Sequence, residues 1–136
     1  MTRASVLLVA VLCAACGDAT VPHPPRLDVT ITVQSTSPVI SFTATNRSGA
    51  VVYLPRCGDR VSVEVERLKD GSWINAAAAV CLANLRMDPF ELAPGASVQS
   101  QATVTGPGRF RLRTGATADP SGAMDWQVYS APFDKL

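Results

Sequence analysis

Leu27-Asp28-Val29-Thr30-Ile31-Thr32-Val33-Gln34 is the stretch that decides the fold. Apolar and polar side chains alternate through it without a break. A period of two puts Leu27, Val29, Ile31 and Val33 on one face of an extended chain, and Asp28, Thr30, Thr32 and Gln34 on the other. That is a strand with one face on a core and one in water. The pattern recurs downstream. Ile40, Phe42 and Ala44 alternate with Ser41, Thr43 and Thr45. Val61, Val63 and Val65 alternate with Ser62, Glu64 and Glu66, and Phe110 and Leu112 alternate with Arg109, Arg111 and Arg113. Val98, Ala102 and Val104 alternate with Gln99, Gln101 and Thr103, although Ser100 interrupts the apolar face. Ala50 to Leu54 reads as a short strand halted by Pro55, Ser72 to Asn75 as a return strand through Trp73, and Trp126 onward as a last strand ending near Phe133.

Turn residues punctuate these runs. Asn46-Arg47-Ser48-Gly49 reads as a turn, with Asn and Gly supplying positive φ. Lys69-Asp70-Gly71 is a tight hairpin turn, because Asp-Gly tolerates the mirror-image turn that matches strand twist. Ala93-Pro94-Gly95 and Gly106-Pro107-Gly108 turn the chain again. Ala76 to Leu85 holds four alanines, which favour helix, but it is short and has no clear start. The expectation there is a strand running into an irregular or one-turn helical connection. About seven or eight short strands predict an all-β antiparallel sandwich over residues 27–136.

Composition agrees with one folded domain. The chain has 136 residues, of which 47% are apolar and 17% charged. Twelve basic side chains face eleven acidic ones, with no basic excess to bind nucleic acid. All eight aromatics lie between Phe42 and Phe133. Core packing is their expected role, with a stacking platform as the alternative.

The N-terminus reads as an address. Arg3 is followed by an apolar run from Ala4 to Ala15 broken only by Ser5. The run is shorter than the ~20 residues a membrane-spanning helix needs, and it has the layout of a secretory signal peptide. Leu12-Cys13-Ala14-Ala15-Cys16 resembles the lipobox of bacterial lipoproteins. Ala14, Ala15 and Cys16 match its last three positions, and Cys13 departs from the leucine usual there. The resemblance implies a leader over residues 1–15, diacylation of Cys16, and a folded part outside the cytoplasm, periplasmic or surface-exposed. Ordinary signal-peptidase cleavage near Gly17 is the competing reading. Residues 16–26 then form a tether, in which Pro22, Pro24 and Pro25 favour an extended chain. His23, the single histidine, sits among these prolines with no flanking partner for metal or acid–base chemistry.

Phe42-Thr43-Ala44-Thr45-Asn46-Arg47-Ser48-Gly49, Leu92-Ala93-Pro94-Gly95 and Gly108-Arg109-Phe110-Arg111-Leu112 resemble stretches of the immunoglobulin-like sandwiches of bacterial envelope proteins. The strand pattern also resembles, more weakly, the intracellular proteinase inhibitor family. Antibody-type domains bridge two sheets through widely spaced cysteines, whereas Cys57 and Cys81 stand only 24 positions apart. Cys13 would leave with the leader and Cys16 would carry lipid. The remaining pair, Cys57 and Cys81, is expected to form a local disulfide in an oxidising compartment.

Chemistry-bearing constellations are few. A Ser-His or Cys-His pair needs a histidine that residues 27–136 lack. Glu64 and Glu66 share a strand face about 7 Å apart. That spacing admits a glycosidase pair, and a solvated face with Arg60 or Arg67 nearby is the plainer reading. Arg109, Arg111 and Arg113 form a stripe that could bind an anion such as phosphate, lipid head groups or acidic glycans. Asp119 to Asp125 loosely resembles a calcium loop without the full ligand set. No motif implies a cofactor or a resident metal. The expectation is therefore a non-enzymatic, lipid-anchored envelope protein, its partners the membrane and another envelope protein or glycan. A secreted protease-inhibitor or chaperone-like module and a hydrolase are the alternatives.

Overall fold

The computed structural model describes residues 26–78, 81 and 88–136. The leader, Cys16, His23 and most of the 76–85 segment lie outside the described residues. The chain is all-β and antiparallel. Twelve strands are described: β1 Val29–Ser35, β2 Ile40–Asn46, β3 Val52–Leu54, β4 Arg56–Cys57, β5 Arg60–Val61, β6 Glu64–Lys69, β7 Ser72–Ala78, β8 Phe90–Leu92, β9 Ser97–Ala102, β10 Gly108–Ala116, β11 Trp126–Tyr129 and β12 Phe133–Lys135. The excess over seven or eight comes from fragments of two or three residues. Seven strands have four residues or more: β1, β2, β6, β7, β9, β10 and β11.

These seven divide between two sheets. One has the order β1-β2-β9; the other runs β11-β10-β6-β7, with β12 also pairing β10. In chain order, the first, second and fifth long strands share one sheet and the remaining four share the other. This is the division of an immunoglobulin-like sandwich, except that the fourth long strand lies beside the third rather than with the first, second and fifth as in antibody constant domains. The inward residues of both sheets meet in one core. Ile31, Ile40, Phe42 and Ala44 come from one sheet, and Val65, Phe110, Leu112 and Ala116 from the other. On β2 burial alternates residue by residue, as the sequence period requires.

Several local details depart from the sequence reading. Asn46 ends β2 fully buried, and neither it nor Gly49 adopts positive φ. Its amide Nδ2 donates to the carbonyls of Ala50 and Leu92, each at 2.8 Å, while its Oδ1 accepts from the Ser48 N–H at 2.9 Å. The residue is a buried tie between the turn and β8. Ser100, the apparent break in the apolar face, is buried too. Its Oγ accepts from the Val61 N–H at 3.1 Å, so β9 holds β5 through a side chain. The last strand splits in two. Ser130 still lies opposite Leu112, donating its N–H to the Leu112 carbonyl at 3.0 Å, but it accepts the Leu112 N–H on its side-chain Oγ at 2.9 Å, and Pro132 follows with no donor. The Asp-Gly hairpin forms as expected, with Asp70 at φ 50° and Gly71 at φ 79°.

The β4–β5 hairpin stands beside the sandwich. Gly58 turns it at φ 62°. A disulfide joins Cys57 to Cys81 with Cα atoms 5.4 Å apart. No helix among the described residues is long and apolar enough to cross a membrane.

Candidate functional site

The outer face of the β7-β6-β10-β11 sheet carries the densest chemistry. Its residues are assembled by register. Arg111 lies opposite Glu66 and Arg113 opposite Glu64 across β10–β6. Tyr129 lies opposite Arg113 across β10–β11. The two-residue turn at Asp70-Gly71 sets Leu68 opposite Trp73, which brings Trp73 to the same face.

Contacts follow this register. Arg111 Nε donates to Glu66 Oε2 at 2.6 Å. Arg113 bonds Glu64 through Nε at 3.0 Å and through a second guanidinium nitrogen, and its Nε lies 3.5 Å from Glu66 Oε1. The Glu64 hydrogen bond holds Arg113 above its ordinary pKa. The Arg111 guanidinium lies 4.5 Å from the Trp73 ring centre and 4.3 Å from that of Tyr129. Two aromatic rings, from strands on either side, therefore flank a cation whose Nε is already hydrogen-bonded. Cation–π contacts contribute about 0.5–2 kcal/mol, more than a solvent-exposed ion pair. Glu66 is only 7% exposed, whereas Tyr129 is 42% exposed. The cluster is thus anchored at its base and open at its rim. Beside it a cleft of about 310 Å³ is bounded by Glu64, Arg113, Thr114, Met124 and Gln127.

The arginine stripe splits under this geometry. Arg111 and Arg113 already carry carboxylate partners, so an incoming anion would compete with Glu64 and Glu66. Arg109 sits apart, opposite Asp134 on β12. The glutamates are paired by Arg111 and Arg113 from β10 rather than by Arg60 or Arg67. Arg67 instead donates to the Pro107 carbonyl at 2.6 Å. In the Asp119 to Asp125 loop, Asp119 Oδ1 accepts from the Ser121 N–H at 2.9 Å and from its hydroxyl at 2.8 Å. That oxygen closes a turn. No group of three or more His, Cys, Asp or Glu that could hold a metal occurs among the described residues.

The aromatics divide as well. Phe42 and Phe110 are wholly buried, while Trp126 is 41% exposed and Trp73 and Tyr129 form the clamp on Arg111. Sequence reasoning missed this clamp. The signal for Trp73 was present, because a two-residue turn sets parity and parity puts Trp73 on the same face as Glu66. No local signal marked Tyr129, whose face depends on pairing with β10.

The fold and this face define an all-β sandwich with a preassembled aromatic–arginine cluster on one sheet. Comparison with protein families, with curated proteins and with solved structures returns no match for this chain.

Proposed function

We propose that this chain is a lipid-anchored cell-envelope protein, tethered through Cys16, whose sandwich is a non-enzymatic binding module. The outer face of the β7-β6-β10-β11 sheet is its recognition surface for another envelope protein. The observation that carries this reading is the Trp73–Arg111–Tyr129 clamp. Trp, Tyr and Arg are the residue types that dominate binding energy at interfaces. Holding them in place beforehand lowers the ordering cost of association. The lipobox-like stretch supports the anchor, since two or more acyl chains hold a protein stably at a membrane where one does not. The mature charge balance leaves no basic excess for holding an anionic lipid surface.

Two experiments test the reading. Mass spectrometry of the mature protein is expected to find an acylated N-terminal Cys16; an unmodified terminus elsewhere overturns the anchor. A photoreactive group at exposed Asn75, on the clamp face, is expected to crosslink the partner, and Trp73→Ala with Tyr129→Ala to abolish that crosslink. Crosslinking that survives both substitutions overturns the surface. A pull-down against secreted proteases separates the inhibitor alternative.

A further inference from the structure

The opposite outer face, on the β1-β2-β9 sheet, has a different chemistry. Register sets its side chains in rows. Thr30, Thr45 and Ser97 align across the three strands, as do Thr32, Thr43 and Gln99. A third row follows with Ser41 opposite Gln101, and Gln34 beside it at the β1 irregularity. These nine positions hold hydroxyls and amides only, with no charged and no large apolar side chain. Rows of this kind lie about 7 Å apart along a strand, and neighbouring strands about 4.8 Å apart. The Thr45 and Ser97 hydroxyls bond each other at 2.8 Å. Thr30 Oγ1 and Thr43 Oγ1 are tucked away from solvent and have no hydrogen-bond partner among the described residues. Turning either hydroxyl outward about χ1 therefore sacrifices no protein hydrogen bond.

At one end this face is concave. Gln34, Ser41, Gln99 and Gln101 meet Asp59 and Arg60 of the β4–β5 hairpin around a groove of about 290 Å³. That volume is near the lower end of the range for small-molecule sites. The wall is not a loose loop. Ser100 ties β5 to β9, and the Cys57–Cys81 disulfide ties the hairpin to the chain beyond β7.

We infer that this face and its groove are a binding site for a neutral glycan chain. The ligand class follows from what the surface offers and lacks. Amides both donate and accept, and hydroxyls do the same, which matches the hydroxyl and acetamido groups of a sugar polymer. Asp59 can accept from vicinal hydroxyls and Arg60 can donate. A nucleic acid or sulfated polymer would need a run of cations, and Arg60 is the single basic side chain at the groove. A lipid would need apolar surface. A typical protein surface would find here neither opposite charges nor apolar side chains to bury, and only hydrogen bonds that water offers equally. The site is independent of the anchor and of the aromatic face proposed above.

The test is calorimetric titration of the full chain, in a detergent without sugar head groups, with tetra-N-acetylchitotetraose and cellotetraose as neutral probes and a heparin tetrasaccharide as the anionic one. Saturable binding of a neutral tetrasaccharide is expected, with affinity insensitive to salt. Gln99→Ala with Gln101→Ala should weaken it about tenfold or more, two neutral hydrogen bonds being lost. Trp73→Ala should leave it unchanged. Gln34→Ala gives a second readout from another strand should the double variant fold poorly. Absence of binding by both neutral probes, binding of the sulfated probe alone, or neutral binding indifferent to Gln34 and to Gln99 with Gln101 would overturn the proposal.

Discussion

Asn46 shows how much one side chain can hold. Its amide satisfies two carbonyls and one N–H in a site with no water access. Asn46→Ala would orphan the Leu92 carbonyl and the Ser48 N–H, while the Ala50 carbonyl keeps the Ser48 hydroxyl at 3.2 Å, and each unsatisfied buried group costs about 1–3 kcal/mol. Urea unfolding should show a loss of about 2–4 kcal/mol, well beyond that of an ordinary turn substitution. Gly115 offers a steric counterpart. A Cβ there would stand 2.5 Å from the Met124 Cβ, so Gly115→Ala must displace the loop that crosses β10. Overpacking of this kind costs about 1–3 kcal/mol, readable as a lowered denaturation midpoint. Asp119 carries a pH signature. Bonding from Ser121 holds its carboxyl below the ordinary 3.8. A depressed folded value means that the turn's contribution is present above the unfolded pKa and lost as pH falls through the folded one. An NMR titration of Asp119 should place its midpoint below that of an unstructured peptide, and Ser121→Ala should raise it. Unshifted titration would show that the turn does not stabilise the ionised form.

Among the elements, β10 is the strand on which the proposed aromatic–arginine recognition face depends. It pairs β6 from Phe110 to Arg113 and β11 and β12 on its other edge, and it alternates core and clamp residues. Its alternation was plain in the sequence: Phe110 and Leu112 inward, the arginines outward. What the arginines meet was not. Arg111 and Glu66 lie 45 positions apart, and nothing local says that β6 will be the neighbour. The β4–β5 hairpin is the opposite case. Two residues a strand could not hold it alone, since isolated short hairpins are marginal. Its security comes from Ser100 and from the disulfide. Closing a loop of this length by a disulfide is worth about 3.5 kcal/mol in the chain-entropy account. Reduction, or Cys57→Ser with Cys81→Ser, should lower the unfolding free energy by that order, read as a fall in the melting temperature. It should also weaken neutral-glycan binding, because the groove wall is the hairpin itself. Two free thiols in the non-reduced protein would refute the bridge.

For the whole molecule, the sandwich presents two unlike surfaces back to back. One is charged and aromatic, the other neutral and hydroxylic. A single core holds them in fixed relation, so the two proposed sites would be open on one domain at once. Alternation by itself determined that the chain is all-β, which residues face inward, and where the Asp-Gly and Pro-Gly turns fall. Those are properties of neighbours in sequence, settled by the two-residue period and by backbone sterics. The cysteine count singled out Cys57 and Cys81 in the same way. Only the tertiary structure decided that Asn46 and Ser100 are buried ties, that Arg111 and Arg113 are neutralised, and that Tyr129 stands beside Arg111. It also decided that three separated strands align their hydroxyls and amides in rows. Each of these depends on which strand lies beside which, and that choice is made by burying one shared core across the whole chain, a non-local condition that no short window of residues contains.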